Sequence, residues 1–269
     1  MSSRCRKLLQ AIAVGASLAM FPAVAGELRV CADPDNLPYS RADGSGFENR
    51  IAELIAGEMG ARLTYEWQPL GRGFVRKTAG EGLCDVFIGV PTAFERVMTT
   101  RPYYRSGYVF LWLEGRAPLR DFDAPDLAER HIGVQLPGDD QAATPPGHAL
   151  AARRAVQRVR GYPVHGPTPA AARMVADLET GALDAAVAWG PQALFFARRS
   201  RVPIEWHWAH APPELAGMPF QFAMSVGVKR GMKPLRDEID AILERRRADI
   251  EAILDEYGVP RVTGGGGAS

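Results

Sequence analysis

Residues 83–91 read LCDVFIGVP, an apolar run that begins after a glycine and stops at a proline. A short apolar run bounded in this way predicts a buried strand, here at residues 85–90. Four elements are predicted before it: a strand at residues 28–32, an amphipathic helix at 51–59, a strand at 63–67 and a short helix at 74–79. Strands that alternate with helices predict an α/β layer built on a parallel sheet.

A second unit of the same kind follows along the chain. Strands are predicted at residues 108–113, 132–135, 183–188 and 222–228, and helices at 150–159, 168–180 and, as one long element, 235–257. We therefore predict an α/β fold of two lobes with a central cleft and two hinge crossovers, near Glu114 and Gly217. The first lobe comprises residues 26–113 and returns at 223–269, and residues 114–222 form the second lobe. Ligands of open α/β sheets bind beyond the carboxyl ends of the strands, so the cleft is the predicted site.

Both ends of the chain are predicted to lie outside the fold. Arg4, Arg6 and Lys7 precede an apolar run at residues 8–20, and Ala-Val-Ala at 23–25 is a cleavage signature. Residues 1–25 are therefore predicted to be a signal peptide that is removed near Gly26. The glycine-rich tail from about residue 264 is predicted to be disordered. No later stretch is apolar enough for a membrane anchor, so we expect an exported, periplasmic protein.

Charge and motif content exclude several classes of function. The chain has 32 basic and 31 acidic residues, and the predicted leader holds three of the basic ones, which leaves 29 against 31. A nucleic-acid-binding protein carries a basic surface, so no nucleic-acid partner is expected. His207 and His210 lack an adjacent cysteine or acidic ligand, so no metal site is expected. The sequence also lacks a phosphate-binding glycine loop and a nucleophilic-serine motif.

The mature chain has two cysteines, Cys31 and Cys84. In an oxidising compartment such a pair invites a disulfide. Cys31 lies near the end of its predicted strand, however, while Cys84 lies at the start of another. If the two strands are parallel neighbours with aligned ends, the separation exceeds the roughly 7 Å that a disulfide spans between Cα atoms. The sequence alone leaves this pairing open.

Seven short motifs occur in a characteristic order along the mature chain. They are CADPDNLPYS (31–40), GFENRIAELIA (46–56), GRGFVRKT (71–78), LCDVFIGVP (83–91), TTRPYYRSGYVF (99–110), AVAWGP (186–191) and ILDEYGVP (253–260). This order resembles that of bacterial periplasmic solute-binding proteins with the type II architecture. The finer details resemble the branch associated with methanol dehydrogenase, the MxaJ/XoxJ type.

The resemblance implies a two-lobed periplasmic binding protein type II fold and a non-catalytic role. Members of that branch are encoded with quinoprotein methanol dehydrogenases, which use pyrroloquinoline quinone with calcium or a lanthanide. The implied function is therefore that of an accessory protein that acts through its cleft in the assembly or activation of such a dehydrogenase. The implied partner is the dehydrogenase or its cytochrome partner. The chain is expected to be a monomer without a cofactor or a metal of its own.

Two positions separate this chain from amino-acid-binding relatives. In those proteins an arginine clamps the ligand carboxylate, and Arg96 lies near that place, although it stands closer to Pro102 than the family pattern has it. An aspartate at the end of the second lobe's last strand takes the ligand ammonium, and here Trp189 stands in that place. A pocket without that aspartate leaves the ammonium of an amino acid desolvated and unpaired, which argues against an amino-acid ligand.

The candidate cleft residues lie on the predicted strand ends and the loops that follow them. They are Asp33, Asn36, Tyr39, Glu48, Thr92, Arg96, Tyr103, Tyr104, Asp139, Gln141 and Trp189. Several alternatives stay open at this point. Trp189 and the tyrosines are also compatible with core packing, and Asp139 and Asp140 with a helix cap. The other functions considered are a small-solute receptor of an ABC transporter and, less favoured, a lyase-type enzyme that uses cleft carboxylates.

Overall fold

The computed structural model describes residues 26–137, 143–164, 166 and 168–262. The strands of the described chain are Glu27–Ala32 (β1), Asp35–Asn36 (β2), Ser40–Arg41 (β3), Arg62–Trp67 (β4), Val86–Pro91 (β5), Met98–Thr99 (β6), Tyr104–Leu113 (β7), Ile132–Leu136 (β8), Val159–Pro163 (β9), Ala185–Trp189 (β10), Ile204–Trp208 (β11) and Gln221–Val228 (β12). The helices are Phe47–Met59 (α1), Phe74–Lys77 (α2), Pro145–Ala152 (α3), Ala170–Glu179 (α4), Gly190–Ala197 (α5), Lys233–Arg245 (α6) and Arg247–Glu256 (α7). Short 3-10 turns lie at Ala79–Glu81, Leu127–Glu129 and Pro213–Leu215.

The strands divide into two lobes that share β7. In the first lobe the order is β4-β1-β5-β12-β7, and β4, β1 and β5 run parallel, as the sequence predicts. In the second lobe the order is β7-β10-β8-β9, with β11 also paired to β7. Residues 104–107 of β7 pair with β12, and residues 108–111 pair with β10. One long strand therefore carries the chain from the first lobe into the second.

The crossovers between the lobes lie where the hydrogen bonds change partner. The first is at Gly107 and Tyr108 within β7, and the second is at Phe220, whose carbonyl accepts a hydrogen bond from the Tyr108 amide at 3.0 Å. The sequence predicts crossovers near Glu114 and Gly217, because the apolar run of β7 continues to Leu113 and carries no local signal of the change of partner. The boundaries 26–113, 114–222 and 223–269 stay a prediction.

The first lobe has a hydrophobic core on each face of its sheet. On one face α1, α6 and α7 bury a large cluster that includes Phe47, Ile51 and Leu254. On the other face, Cys31 and Phe87 belong to a smaller cluster with residues that follow α2. The C-terminal helical region was predicted as one helix, but it breaks at Arg246, which has φ −103° and ψ 23°. Because of this break, both α6 and α7 contact α1.

Cys31 and Cys84 form a disulfide, with a Cα–Cα distance of 5.4 Å. The expected separation of more than roughly 7 Å was wrong, because the strand does not begin at Cys84. Strand β5 begins only at Val86, and it is Val30 that pairs with this residue. Cys84 belongs to the segment that enters the strand, and this segment packs with Cys31 in the smaller core cluster. The in-register offset of parallel strands therefore does not apply to it.

The start of α1 is fixed by a tight turn against the loop after β1. A Cβ atom on Gly46 would collide with the carbonyl oxygen of Tyr39, so only glycine fits there. The Asn49 side chain accepts hydrogen bonds from the backbone N–H groups of Gly46 (3.1 Å) and Arg41 (2.9 Å). The Gly46 turn and the Asn49 hydrogen bonds together fix the start of α1. They thereby also fix Glu48, which lies in the first turn of this helix.

Candidate functional site

A cavity of about 500 Å³ lies at the carboxyl ends of β1 and β5. The segment that contains α2 forms one of its walls, and α1 contributes Glu48. Trp189, at the end of β10, is the residue that the second lobe contributes to the described lining. The cavity therefore lies where open α/β sheets bind ligands, but mostly within the first lobe.

Glu48 lies in the cavity wall against the backbone of β5. A Cβ atom on Gly89 would collide with Glu48 Oε1, so the glycine makes room for the carboxyl group. The side chain is half-buried, because protein surrounds it except on the side that faces the cavity. Burial raises the pKa of Glu48 to about 8, and among the described residues no charged group offsets this effect. At neutral pH this carboxyl is therefore mostly protonated and uncharged.

Tyr39 lies on the same wall as Glu48. Its ring packs edge-on against Phe47, with 5.5 Å between ring centroids. Burial raises the pKa of the Tyr39 hydroxyl well above its ordinary value, and the nearby Glu48 carboxyl acts in the same direction. The Tyr39 hydroxyl therefore stays protonated and is a neutral hydrogen-bonding group in the cavity.

Trp189 has both of the roles that the sequence leaves open. The indole is half-buried and lines the cavity. It also packs edge-to-face against Tyr108 and Phe222, with centroid distances of 5.6 and 5.7 Å. The side chain thus joins the aromatic core near the crossover to the cavity surface.

A chain of amide hydrogen bonds fixes the backbone of Trp189. Its N–H donates to Gln135 Oε1 at 2.7 Å, and Gln135 Nε2 donates to Gln192 Oε1 at 3.1 Å. Gln192 Nε2 then donates to the carbonyl oxygen of Leu37, in the first lobe, at 3.3 Å. Both glutamine side chains are buried. These bonds tie the end of β10 to the loop after β1, and thereby hold Trp189 over the cavity.

Asp33 lines the cavity, but its carboxylate is already occupied by backbone donors. The N–H of Asp35 donates to one oxygen at 2.8 Å, and the N–H of Leu70 donates to the other at 2.7 Å. The second bond attaches the segment before α2 to the end of β1. Asn36 and Arg96 also line the cavity, and the Arg96 side chain is exposed at its edge.

The structure places three of the predicted cleft residues outside the cavity wall. The Thr92 hydroxyl bonds the carbonyl oxygen of Ala223 at 3.0 Å and the hydroxyl of Ser225 at 2.7 Å. Tyr103 donates its hydroxyl to the carbonyl oxygen of Ile88 at 3.2 Å. Tyr104 is buried in the core of the first lobe. Asp139, Asp140 and Gln141 lie outside the described residues, as do the predicted signal peptide and the tail.

Several lining residues, around α2, after β5 and on β12, were not predicted from the sequence. These are Leu70, Phe74, Arg76, Phe94 and Met224. The motif GRGFVRKT at residues 71–78 was the available signal, because this segment carries Phe74 and Arg76. Phe74 packs edge-to-face against Phe87, with 5.8 Å between the centroids. The wall that α2 provides is therefore anchored to β5.

Metal-binding and acid–base features are sparse in the described part of the chain. It contains no group of three or more histidine, cysteine, aspartate or glutamate residues that could hold a metal ion. The rings of His207 and His210 are 6.5 Å apart, and His207 Nδ1 contacts the carbonyl oxygen of Trp208.

No helix among the described residues is long and apolar enough to cross a bilayer. Within the described cavity, Glu48 is the one titratable carboxyl whose oxygens are not occupied by backbone donors.

Comparison with known proteins identifies relatives over most of the chain. No family model matches it. The chain is 36% identical over 259 residues to Protein MoxJ of Methylorubrum extorquens, covering 88% of this chain and 82% of that protein. It is 32% identical over 243 residues to Protein MoxJ of Paracoccus denitrificans, covering 87% of this chain and 88% of that protein. The crystal structure of periplasmic binding protein XoxJ from Methylobacterium extorquens AM1 matches with a TM-score of 0.72 at 37% identity, covering 88% of this chain and 100% of XoxJ.

These matches confirm the predicted family and the predicted two-lobed α/β fold of a periplasmic binding protein. The chain belongs to the MxaJ/XoxJ family of periplasmic binding proteins.

Proposed function

We propose that this protein is a non-catalytic periplasmic accessory of a quinoprotein methanol dehydrogenase system. In this proposal it contacts the dehydrogenase, or its cytochrome partner, through the cavity and takes part in assembly or activation. The family resemblance to methanol-dehydrogenase-associated proteins supports the proposed partner. The observation that carries the proposal is Trp189, which lies in the cavity at the strand end where amino-acid receptors have an ammonium-binding aspartate.

The chemistry of the cavity supports a binding role over catalysis. General acid–base catalysis needs a matched acid and base within reach of one substrate. The described cavity offers Glu48, whose raised pKa keeps it largely protonated, and Tyr39, whose pKa is raised further. The Asp33 carboxylate is bound to two backbone N–H groups that hold the walls together. These residues form a surface suited to recognition. The competing function is that of a small-solute receptor of an ABC transporter.

The Trp189→Ala variant tests this proposal by the affinity for the dehydrogenase. Loss of a half-buried aromatic anchor is expected to weaken association by about 2 kcal/mol or more. The indole also packs on Tyr108 and Phe222, so the free energy of unfolding is expected to fall by about 2 kcal/mol, less than for a fully buried tryptophan. A binding titration and a denaturant melt on the same purified variant separate the two effects.

Trp206→Ala is the matched control, because Trp206 is exposed on β11 and lies outside the cavity lining. It is expected to leave the dehydrogenase affinity nearly unchanged. Since the Trp206 ring packs edge-to-face against Trp208 at 5.4 Å, the free energy of unfolding is expected to fall, but by less than in Trp189→Ala. If Trp189→Ala binds the dehydrogenase as tightly as the wild type, the cavity is not the contact surface and the proposal is wrong on that point.

Export is expected to produce a mature protein that begins at or near Gly26. The predicted cleavage site lies before β1, which begins at Glu27, so the mature chain keeps the whole of this strand. N-terminal sequencing of the protein from a periplasmic fraction measures this directly. A protein that keeps Met1 and stays in the cytoplasmic fraction would contradict the proposed location.

A further inference from the structure

The cavity contains a carboxyl group that no described residue satisfies. The Glu48 side chain lines the cavity, and its carboxyl group lies against the backbone of β5 at Gly89. A carboxylate held out of water without a donor or a cation is unfavourable, so such a group either stays neutral or receives a partner from outside. An unpaired carboxyl among aromatic and aliphatic walls indicates the kind of partner that is missing.

We propose that the cavity receives a primary alkylammonium group, which forms an ion pair with Glu48. The group comes either from a free amine or from a lysine side chain of the partner protein. The inference rests on the proposed function, which it deepens by naming the chemistry of the group that enters the cavity. An ammonium supplies the charge and the hydrogen-bond donors that the carboxylate lacks.

The walls of the cavity suit the apolar stem and the charge of such a group. Tyr39, Phe74, Phe94 and Trp189 surround the space with aromatic rings. Apolar walls are favourable for the methylene groups of an alkylamine, and aromatic faces attract a cation. The volume of about 500 Å³ admits a lysine side chain or a small amine.

The competing ligand is a zwitterionic amino acid. Its carboxylate would need a cation near Glu48, and the described lining provides Arg76 and Arg96, both exposed to solvent. Exposed charges are screened by water and salt, so they discriminate weakly between a plain amine and an amino acid. The proposal therefore expects the amine without a carboxylate to bind at least as well as the amino acid that contains the same chain.

Binding of an ammonium must be linked to the release of a proton. Below about pH 8 the Glu48 carboxyl is protonated in the free protein, and the ion pair needs it ionised. The Glu48 O–H proton therefore leaves to solvent as the ammonium binds, and the ligand keeps its own protons. The affinity is expected to rise about tenfold per pH unit up to about pH 8 and then to level off.

Calorimetric titration of the mature protein with n-butylammonium, n-butanol and L-norleucine tests the site. The wild type is expected to bind n-butylammonium more tightly than n-butanol and at least as tightly as L-norleucine. Its affinity for n-butylammonium is expected to rise with pH up to about pH 8. Glu48→Gln is expected to weaken n-butylammonium binding about tenfold or more and to remove the pH dependence, since it keeps the shape but not the charge. Glu53→Gln, on the exposed face of the same helix, is the matched control and is expected to bind like the wild type.

Several results would overturn the inference. Equal binding of n-butanol would indicate a neutral ligand, and tighter binding of L-norleucine would indicate an amino-acid site. Unchanged n-butylammonium binding by Glu48→Gln would show that no ion pair forms with Glu48. The absence of n-butylammonium binding by the wild type would show the same. If the wild type then still binds the dehydrogenase, the proposed function stands without the ammonium site.

A second pair of titrations distinguishes the two sources of the group. N-acetyl-L-lysinamide should bind like n-butylammonium if the space admits a lysine side chain on a blocked backbone. The dehydrogenase itself should then bind Glu48→Gln about tenfold more weakly than Glu53→Gln. If Glu48→Gln loses n-butylammonium binding but binds the dehydrogenase as tightly as Glu53→Gln does, the site is assigned to a free amine. Binding of n-butylammonium by a wild type that fails to bind the dehydrogenase supports the site and contradicts the proposed function.

Discussion

Replacing both Cys31 and Cys84 with alanine is expected to lower the free energy of unfolding by about 4 kcal/mol. The disulfide closes a loop with a sequence separation of 53 residues, and a crosslink over this length restricts the unfolded chain by an amount of that order. The crosslink also joins β1 to the segment that leads into β5, and both of these strands carry cavity residues. Denaturant melts of the oxidised wild type and the double variant measure the difference.

The reduced wild type is the control that isolates the crosslink, because its sequence is unchanged. It is expected to match the double variant to within about 1 kcal/mol, the cost of a small change in buried side-chain volume. Thiol labelling of the denatured, unreduced mature protein is expected to find no free thiol. Two labelled thiols per chain, with equal melts for all three samples, would show that the disulfide does not form.

Glu48 is expected to make the stability of the protein fall as the pH rises toward 8. The pKa of Glu48 is about 8 in the folded protein and 4.5 at its ordinary value, so the folded state holds the proton more tightly than the unfolded state. The stabilisation is therefore fully present below about pH 4.5 and is lost as the pH rises through about 8. The slope is at most about 1.4 kcal/mol per pH unit, and less where water in the cavity solvates the carboxylate.

Glu48→Gln is expected to lack this slope and to exceed the wild type in stability at about pH 9, because an amide stays neutral at every pH. Denaturant melts at a series of pH values measure the difference between the two proteins. Glu53→Gln changes an exposed residue on the same helix and is expected to follow the wild-type profile. Parallel profiles for Glu48→Gln and the wild type would show that the carboxyl ionises freely in the folded protein.

Much of the fold was predictable because its strands are short, apolar and bounded by turn residues. Strand β5 and helix α1 were identified from these signals alone. Strand β11 was missed because its sequence, IEWHW, is partly polar and pairs at an edge, where alternation is weak. Helix α5 was missed because it follows Trp189 directly, without a polar cap, and starts with Gly-Pro.

Part of the cavity lining follows from local sequence patterns. Asp33 and Trp189 lie at predicted strand ends, Glu48 lies in the first turn of α1, and all three line the cavity. Their role in binding stays a prediction. The tertiary contacts that take Tyr104 into the core and Thr92 onto β12 join residues that are distant in sequence, so local patterns do not report them. The raised pKa of Glu48 also depends on burial by several elements at once, and no local motif encodes it.

The most direct test of the account is a titration of the purified mature protein with the quinoprotein methanol dehydrogenase of the same organism. A parallel titration uses the common amino acids as competing ligands. The account predicts saturable binding of the dehydrogenase, weakened in Trp189→Ala, and no amino acid that binds more tightly than n-butylammonium. Tight binding of a free amino acid, with no association between the wild type and the dehydrogenase, would contradict it and indicate a transporter receptor.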